Sequence, residues 1–509
     1  RWRSRNAFCG DNCAKQTCTR PSKSNNRYSL GAGHSQTPAK GCVPFWKSAR
    51  HAGKCVRART CQRSFLLARP NSVHQIRSEA KGARMKLEVD RGVRSRIEAW
   101  FFHNFFVVLL FLVSTAEAGV AWWVAKQWWH LGAGAFLLLA TAISAFNLWI
   151  VRRRRTAQRN LVDRLPRLYH ATAFTCLFCA GFLVANHLAW RATSLAHALV
   201  TAEARGMAKP KKPLRAGPID ERATGWLGVV GIAALFAYGY TFGQRQLRVQ
   251  FLRVPLNTWP TTAPPLRIVQ LSDIHVGTNM NPTQLASFVA QVNRLHPDLV
   301  CITGDIADNA QSELDLYFPI LGQLESRLGV VAVLGNHDHY AGAERVVQAL
   351  RRHTAFVILR DDAISISQTG ARVHIVGLDD RGRDWARGVP AVPQLEALSK
   401  QLPPGEPRIL LCHRPDVFPQ AAQLGFDLVL SGHTHGGQIA FPWTHGRTLS
   451  LAQLVTSYDR GLFRNGSSTL YVNCGLGVTG QRIRLFTPRE ITVIEICAAA
   501  GIESATAAA

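Results

Sequence analysis

Five short clusters of His, Asp and Asn mark the second half of this 509-residue chain. Asp273 and His275 lie in D-x-H, Asp305 and Asp308 in G-D-x-x-D, and Asn336, His337 and Asp338 in G-N-H-D. His413 and Arg414 follow in C-H-R-P-D, and His433 and His435 in G-H-T-H-G-G-Q. Carboxylate, amide and imidazole donors without a thiolate suit Mn, Fe, Zn or Ni rather than Ca²⁺ or a structural zinc. The acids and imidazoles suffice for two divalent ions. Two ions about 3.5–4 Å apart can clamp the attacking and leaving oxygens of a phosphoryl displacement. One histidine at a strand end is more often structural than ligating, but five such clusters in order are not chance. Gly304, Gly335, Gly432, Gly436 and Gly437 beside them permit tight turns and close approach to a ligand. No Walker motif, G-x-G-x-x-G or G-x-S-x-G competes with this reading.

The clusters need elements to hold them. Leu266–Leu271 reads as a strand stopping at S-D-I-H, Asp298–Thr303 as one stopping at G-D-I-A-D, and Val330–Leu334 as one stopping at G-N-H-D-H. Val373–Val376, Arg408–Leu411 and Asp427–Leu430 repeat the arrangement, and only Val373–Val376 lacks a polar cluster at its end. Helices are expected over 282–296 and 311–327. Continuous apolar strands alternating with helices imply a sheet covered on both faces, with function in the loops beyond the strand ends.

The ordered motifs resemble those of the calcineurin-like metallophosphoesterases, over about residues 266–495. LSDIHVG, SGHTHGGQ and the tail LYVNCGLGVTGQRIRLFTPREITVIEI are similar to the bacterial membrane-associated branch. The resemblance implies an α/β fold with a β-sandwich core flanked by helices. It implies one metal on Asp273, His275, Asp305 and His435, and another on Asp305, Asn336, His413 and His433, with Asp305 bridging. A hydroxide shared by the two ions would attack a phosphodiester or diphosphate. His337 would protonate the leaving oxygen or stabilise charge, with Asp308 as its orienter. Asp338 and His339 are either supports behind the ligands or solvent-facing loop residues. Arg414 is weighed as a phosphate contact against a surface salt bridge. The alternative function is a catalytically silent membrane sensor or scaffold of the same fold.

Upstream, four apolar stretches are each about the ~20 residues needed to cross hydrocarbon. They are Phe101–Ala125, Leu131–Val151, Ala171–Trp190 and Gly225–Phe242. Trp122, Trp123, Trp128 and Trp129 sit as an interfacial belt, and Arg152–Arg155 follow the second stretch directly. Residues 85–250 are therefore expected to be a transmembrane region, 251–265 a Pro-rich linker, 266–497 the catalytic domain and 498–509 a disordered tail. Stretch three carries Asn186 and His187. If it only dips into the bilayer, the loop charges put the catalytic domain on the extracytoplasmic side of a bacterial inner membrane, and that is the expected arrangement. Membrane lipids and a phosphate-ester substrate, lipid-linked among the possibilities, are the expected partners.

Net charge is +28, from 60 Lys+Arg against 32 Asp+Glu. Residues 1–84 hold 18 of those bases, two acids and half of the 12 cysteines, without apolar periodicity. Their cysteine spacings match no zinc pattern. They read as a disordered or untranslated basic extension, with translation expected to begin at or near Met85. The charge excess is thus no argument for a specific nucleic-acid partner.

Overall fold

Four helices dominate the first half of the structure, a computed structural model that describes residues 107–129, 131–154, 164–204, 220–277, 279–380, 392–444 and 448–499. The extension 1–84, the start of the membrane region and the tail beyond 499 lie outside these residues. Helices α1 (Val107–Lys126), α2 (Ala133–Arg154), α3 (Arg164–Ala204) and α4 (Glu221–Thr241) are each long and apolar enough to cross a membrane. Leu138 and Leu227 are exposed on their outer faces, as a lipid-facing surface requires.

Aromatic and polar contacts fix the direction of these helices. Trp122 of α1 meets Phe136 of α2, and Trp123 meets Trp226 of α4. Toward the other end, Glu117 of α1, Asn147 of α2 and Tyr169 of α3 hydrogen-bond together. Phe178 of α3 packs on Phe236 of α4 at 4.7 Å between ring centroids, against Ile439, Ile483 and Leu485 of the catalytic domain. Hence α1 and α3 run away from that domain, while α2 and α4 return to it. Stretch three, expected to dip into the bilayer, lies within one continuous helix, α3. Its weakening residues find partners at the start of α4: Asn186 donates to the Glu221 carbonyl at 3.1 Å, and His187 lies 2.9 Å from the Glu221 carboxylate.

The catalytic domain is two facing six-stranded sheets. The first runs β1 (Leu247–Leu256), β14 (Arg489–Ala498), β2 (Leu266–Leu271), β3 (Leu299–Thr303), β4 (Val330–Val333) and β5 (Val357–Ile358). The second runs β12 (Gly461–Asn465), β13 (Ser468–Val472), β9 (Leu428–Ser431), β8 (Arg408–Leu411), β7 (Ala371–Gly377) and β6 (Asp362–Gln368). Both are mixed: β2, β3 and β4 are parallel, as are β7, β8 and β9, while β14 runs against β2 and β6 against β7. Leu266, Ile268, Leu299 and Val331 of one sheet meet Ile375, Ile409, Leu428 and Tyr471 of the other in the sandwich core. The outer face of the first sheet is covered by α5 (Pro282–Asn293), α6 (Leu314–Leu321) and α8 (Ala343–His353). That of the second is covered by α9 (Val392–Ser399) and α10 (Phe418–Gln423). Apolar faces on both sides explain why these strands are continuous apolar runs.

The linker expected from residue 251 begins too early. Residues 247–256 form β1, paired in parallel with β14 along its whole length. Pro255 misled because proline disfavours strands, yet β1 is an edge strand, where a missing N–H costs no ladder bond. The helix expected over 311–327 is shorter, because Gly322 caps α6.

Candidate metal centre

The ends of β2, β3, β8 and β9, with the start of the short helix α7 (Asn336–Ala341) after β4, converge on one buried site. Asp273, His275, Asp305, His433 and His435 all adopt left-handed backbone, with φ between 48° and 70°. Non-glycine residues rarely do so, and the strain is tolerated because it aims each side chain out of its strand into the site. Two glycines make room. A Cβ on Gly335 would collide with the Asp305 carboxylate, and one on Gly432 with Ser272 Oγ.

Two groups of donors border Asp305, beside a third made of His275, Asp308 and His337. In the first, His275 Nε2 lies 3.0 Å from His435 Nε2, and His435 Nε2 lies 3.3 Å from Asp273 Oδ1. In the second, His413 Nε2 lies 3.2 Å from both His433 Nδ1 and Asp305 Oδ2. The same Asp305 oxygen is 3.5 Å from His275 Nε2, so one carboxylate oxygen borders both groups. Ring nitrogens that face each other at such distances need a proton or a cation between them. Among the described residues, no hydrogen-bond donor reaches the buried Asn336 Oδ1. These features fit metal ligation, and the donor chemistry fits a divalent transition metal.

Electrostatics agree. Burial, then the nearby charges of His413 and Arg414, holds His433 well below the usual imidazole range; burial, then His275 and Arg484, does the same for His435. Both are thus neutral, as ligands must be. Burial pushes Asp305 upward, but the charge of His413 and its hydrogen bond outweigh this and hold the carboxyl well below its ordinary value. Burial lowers His413, yet Asp305 pushes it up to about 10, so a proton stands where a cation could. The ligands are themselves braced. Asp273 accepts from Ser272 Oγ at 2.6 Å and from the His433 N–H at 3.0 Å. His413 Nδ1 donates to the Thr303 carbonyl at 2.9 Å, leaving Nε2 for the site.

His337 stands beside the ligands, its ring perpendicular to that of His275 with centroids 4.7 Å apart. Its orienter differs from expectation. His337 Nδ1 donates to the Asp308 main-chain carbonyl at 2.7 Å, whereas the Asp308 carboxylate is 3.8 Å away. That carboxylate instead accepts from Asn309 at 2.7 Å and stands 3.5 Å from His275 Nδ1. The carbonyl is in reach because Asp308 is drawn into the loop by its N–H bond to Val276. Arg414 is neither at the surface nor free to close on a phosphate with its whole fork. Asp380 takes its Nε at 2.7 Å, and its Nη1 lies 2.9 Å from His433 Nε2.

Of the two readings of Asp338 the structure shows the support, and three further supports, Asp379, Asp380 and Arg484, escaped the sequence reading. Asp338 is fully buried and accepts from the N–H groups of Ile306, Ala307 and Gly335, tying the β3 loop to α7. Asp379 holds His339 at 2.9 Å and Arg360 at 2.7 Å, and its neighbour Asp380 holds Arg414. The signal was present, since Leu378-Asp379-Asp380 follows β7 and gives that strand the polar end it was thought to lack. Arg484 is fully buried and donates to the carbonyls of Cys474, Gly475 and Gly477 beneath Asp273.

Residues 266–437 match the model of the calcineurin-like phosphoesterase domain. A transmembrane protein with metallophosphoesterase domain from Bos taurus is 31% identical over 394 residues, covering 73% of this chain and 81% of that one. The chain belongs to the calcineurin-like phosphoesterase family. It has the metallophosphoesterase fold, two mixed sheets flanked by helices, preceded by four candidate membrane-spanning helices. The bovine match is longer than the catalytic domain and so extends into those helices, in keeping with a membrane protein. The uncharacterized metallophosphoesterase Cj0846 of Campylobacter jejuni is 37% identical over 239 residues, 47% of this chain and 60% of its own. The uncharacterized metallophosphoesterase YkuE of Bacillus subtilis is 30% identical over 283 residues, 53% of this chain and 95% of its own. Metal-dependent phosphoester hydrolysis is the chemistry this family membership supports.

Proposed function

We propose that this is a membrane-anchored phosphohydrolase that uses two divalent ions to cleave a phosphodiester or diphosphate, with a lipid-linked or cell-envelope phosphoester as substrate. The observation that carries the reading is the single Asp305 oxygen bordering both donor groups, 3.5 Å from His275 and 3.2 Å from His413. Asp273, His275, Asp305 and His435 would hold one ion, and Asp305, Asn336, His413 and His433 the other. Bound there, such ions supply Lewis acidity toward phosphoryl oxygens and acidify water near neutral pH.

The chain's own residues do the rest. Asp305 stays ionised, and Ser272 and the His433 N–H keep Asp273 turned inward. His337 carries its Nδ1 proton toward the Asp308 carbonyl, so Nε2 is the nitrogen left to meet a leaving oxygen. Once that ring is doubly protonated, Nε2–H is the proton donor. Arg414, set by Asp380, keeps a positive charge beside His433 for the substrate's phosphoryl group. An intact donor at every ligand position speaks against the silent-scaffold alternative. The test is chelation of the full chain in detergent, followed by assay on bis-p-nitrophenyl phosphate. Hydrolysis should vanish and return with Mn²⁺ or another transition metal; full turnover in protein proved metal-free would refute the reading.

The catalytic domain is proposed to lie on the side of Arg152–Arg155. The alternating helix directions support this, and Arg152–Arg155 make that side cytoplasmic by the loop-charge rule, against the seven Lys and Arg of 191–223. An active alkaline phosphatase fusion after Gln250 would contradict it.

A further inference from the structure

Ten large apolar side chains are exposed among the described residues beyond Arg245, and six of them belong to one place: Trp443, Leu449, Leu451, Leu454, Val455 and Phe486. Single exposed apolar residues need no explanation, but a concentration does. The hairpin of β10 (Ala440–Pro442) and β11 (Thr448–Ser450) builds the patch, pairing Phe441 with Leu449. The turn Leu451–Leu454 continues it. Leu454 and Val455 are 82% and 79% exposed, an extreme value for aliphatic side chains in a well-packed domain.

The patch is continuous with the membrane-spanning bundle. Phe441 meets Phe486 at a tilt, 6.3 Å between centroids, and packs on the cluster that Ile439, Ile483 and Leu485 form with Phe236 of α4. It is continuous with the metal centre as well. A cavity of about 280 Å³ is lined by His433, His435, Gln438 and Thr479 on one side and by Leu451 and Val455 on the other.

We propose that the β10–β11 hairpin and the turn after it form a lip seated in the interfacial region of the bilayer that α1–α4 cross. The cavity beside His433 and His435 then opens at the lipid surface, with Leu451 and Val455 placed to meet the apolar part of an amphiphilic phosphoester. Trp443, an amphipathic ring near the hairpin tip, has the character of an interfacial anchor. The seating stands independently of the proposed hydrolysis; the substrate consequence rests on it.

The first test is photocrosslinking of the full chain in phosphatidylethanolamine/phosphatidylglycerol nanodiscs, with p-benzoylphenylalanine at position 454. Leu138 on α2 is the lipid-facing control, and Leu316, exposed on α6, the control outside the patch. Lipid adducts at 138 and 454 but not at 316 are expected. Adducts at 138 without any at 454, or adducts at 454 to a second copy of the chain, overturn the proposal. The second test is the double variant Trp443→Ser/Leu454→Ser, neither residue lining the cavity. It should cleave soluble bis-p-nitrophenyl phosphate as the parent does, but the p-nitrophenyl ester of dipalmitoyl phosphatidic acid in vesicles about tenfold more slowly. Equal rates on both substrates defeat the substrate consequence. A parent that cleaves neither defeats the hydrolase reading and leaves the crosslinking result to judge the lip.

Discussion

Two buried polar clusters, one in each half of the molecule, behave in opposite ways. In the helical bundle, Asn147 donates to Glu117 at 2.7 Å and to Ser114 at 2.9 Å, and Tyr169 closes the set on Asn147 at 2.8 Å. None of these four residues has a buried atom without a partner. At the strand ends the reverse holds: among the described residues Asn336 Oδ1, His275 Nδ1 and His435 Nδ1 lack hydrogen-bond partners, and imidazole nitrogens face each other. A closed network holds helices together, because each member answers another's desolvation cost. An open one stands incomplete until something else supplies charge or coordination. Both clusters contain buried carboxylates, so polarity alone does not distinguish them; satisfaction does.

The most damaging way to test the contrast is to alter the oxygen that both donor groups share. Asp305→Asn removes the anionic charge that His413 and His275 face. Bound metal should be lost, and turnover should fall by more than the roughly 10–100-fold typical of outer supports. Metal analysis by mass spectrometry beside diester turnover checks this. Full metal content with parental activity would mean that Asp305 is not the shared ligand.

Next in size is His337→Ala. Its ring shares no donor group with Asp305 and joins only His275 and Asp308 in one, so metals should stay while rate drops by about 10²–10⁴. An emptied site in this variant would move His337 from proton donor to ligand.

A smaller effect tests the supports. Hydrogen bonding from Asp379 raises His339, while burial works against it; Asp379 itself is raised by burial but held lower by His339 and Arg360. The Asp379 share of stability is present above the unfolded carboxylate value and lost as pH falls through its depressed one. The His339 share is complete below the unfolded imidazole value and lost as pH rises through its raised one. The pair therefore contributes most between about pH 4 and 6.5. Asp379→Asn should lower stability by on the order of 1 kcal/mol in that window and by less at pH 9. Melting temperatures at both pH values decide it, and an equal deficit at both would assign the effect to Arg360 and remove the His339 share.

What was legible in the sequence follows the same division. The ligands were readable because a strand end is a place where residue type and position coincide: apolar run, glycine, then Asp or His. The membrane helices were readable because lipid demands apolar length. Supports that depend on backbone atoms were not, because no side-chain pattern announces them. The Asp308 carbonyl takes the role expected of its carboxylate, and the Thr303 carbonyl orients His413 with nothing in residue type to say so. Asp379 and Asp380 were missed by ending β7 one residue short, and β1 by treating Pro255 as a break. Helix direction was hidden for a different reason. Asn186 and His187 lower the hydropathy of α3, and only the folded bundle reveals that Glu221 answers them.

The finest test lies on the closed side of the comparison. Asn147→Ala removes the residue that links Glu117 to Tyr169 and Ser114, leaving three polar groups to find partners among themselves. Hydrogen bonds between membrane helices are worth about 0.6 kcal/mol on average and up to about 1.7. The bundle should therefore loosen by that order, read as a lower melting temperature of the full chain in detergent. The network and the metal centre share no partner, so diester turnover below the melting point should change by less than about twofold. A large loss of turnover with the fold and metal content intact would show that the Glu117 network communicates with the strand ends, and the division between self-satisfied and open polar clusters would no longer separate structure from function in this molecule.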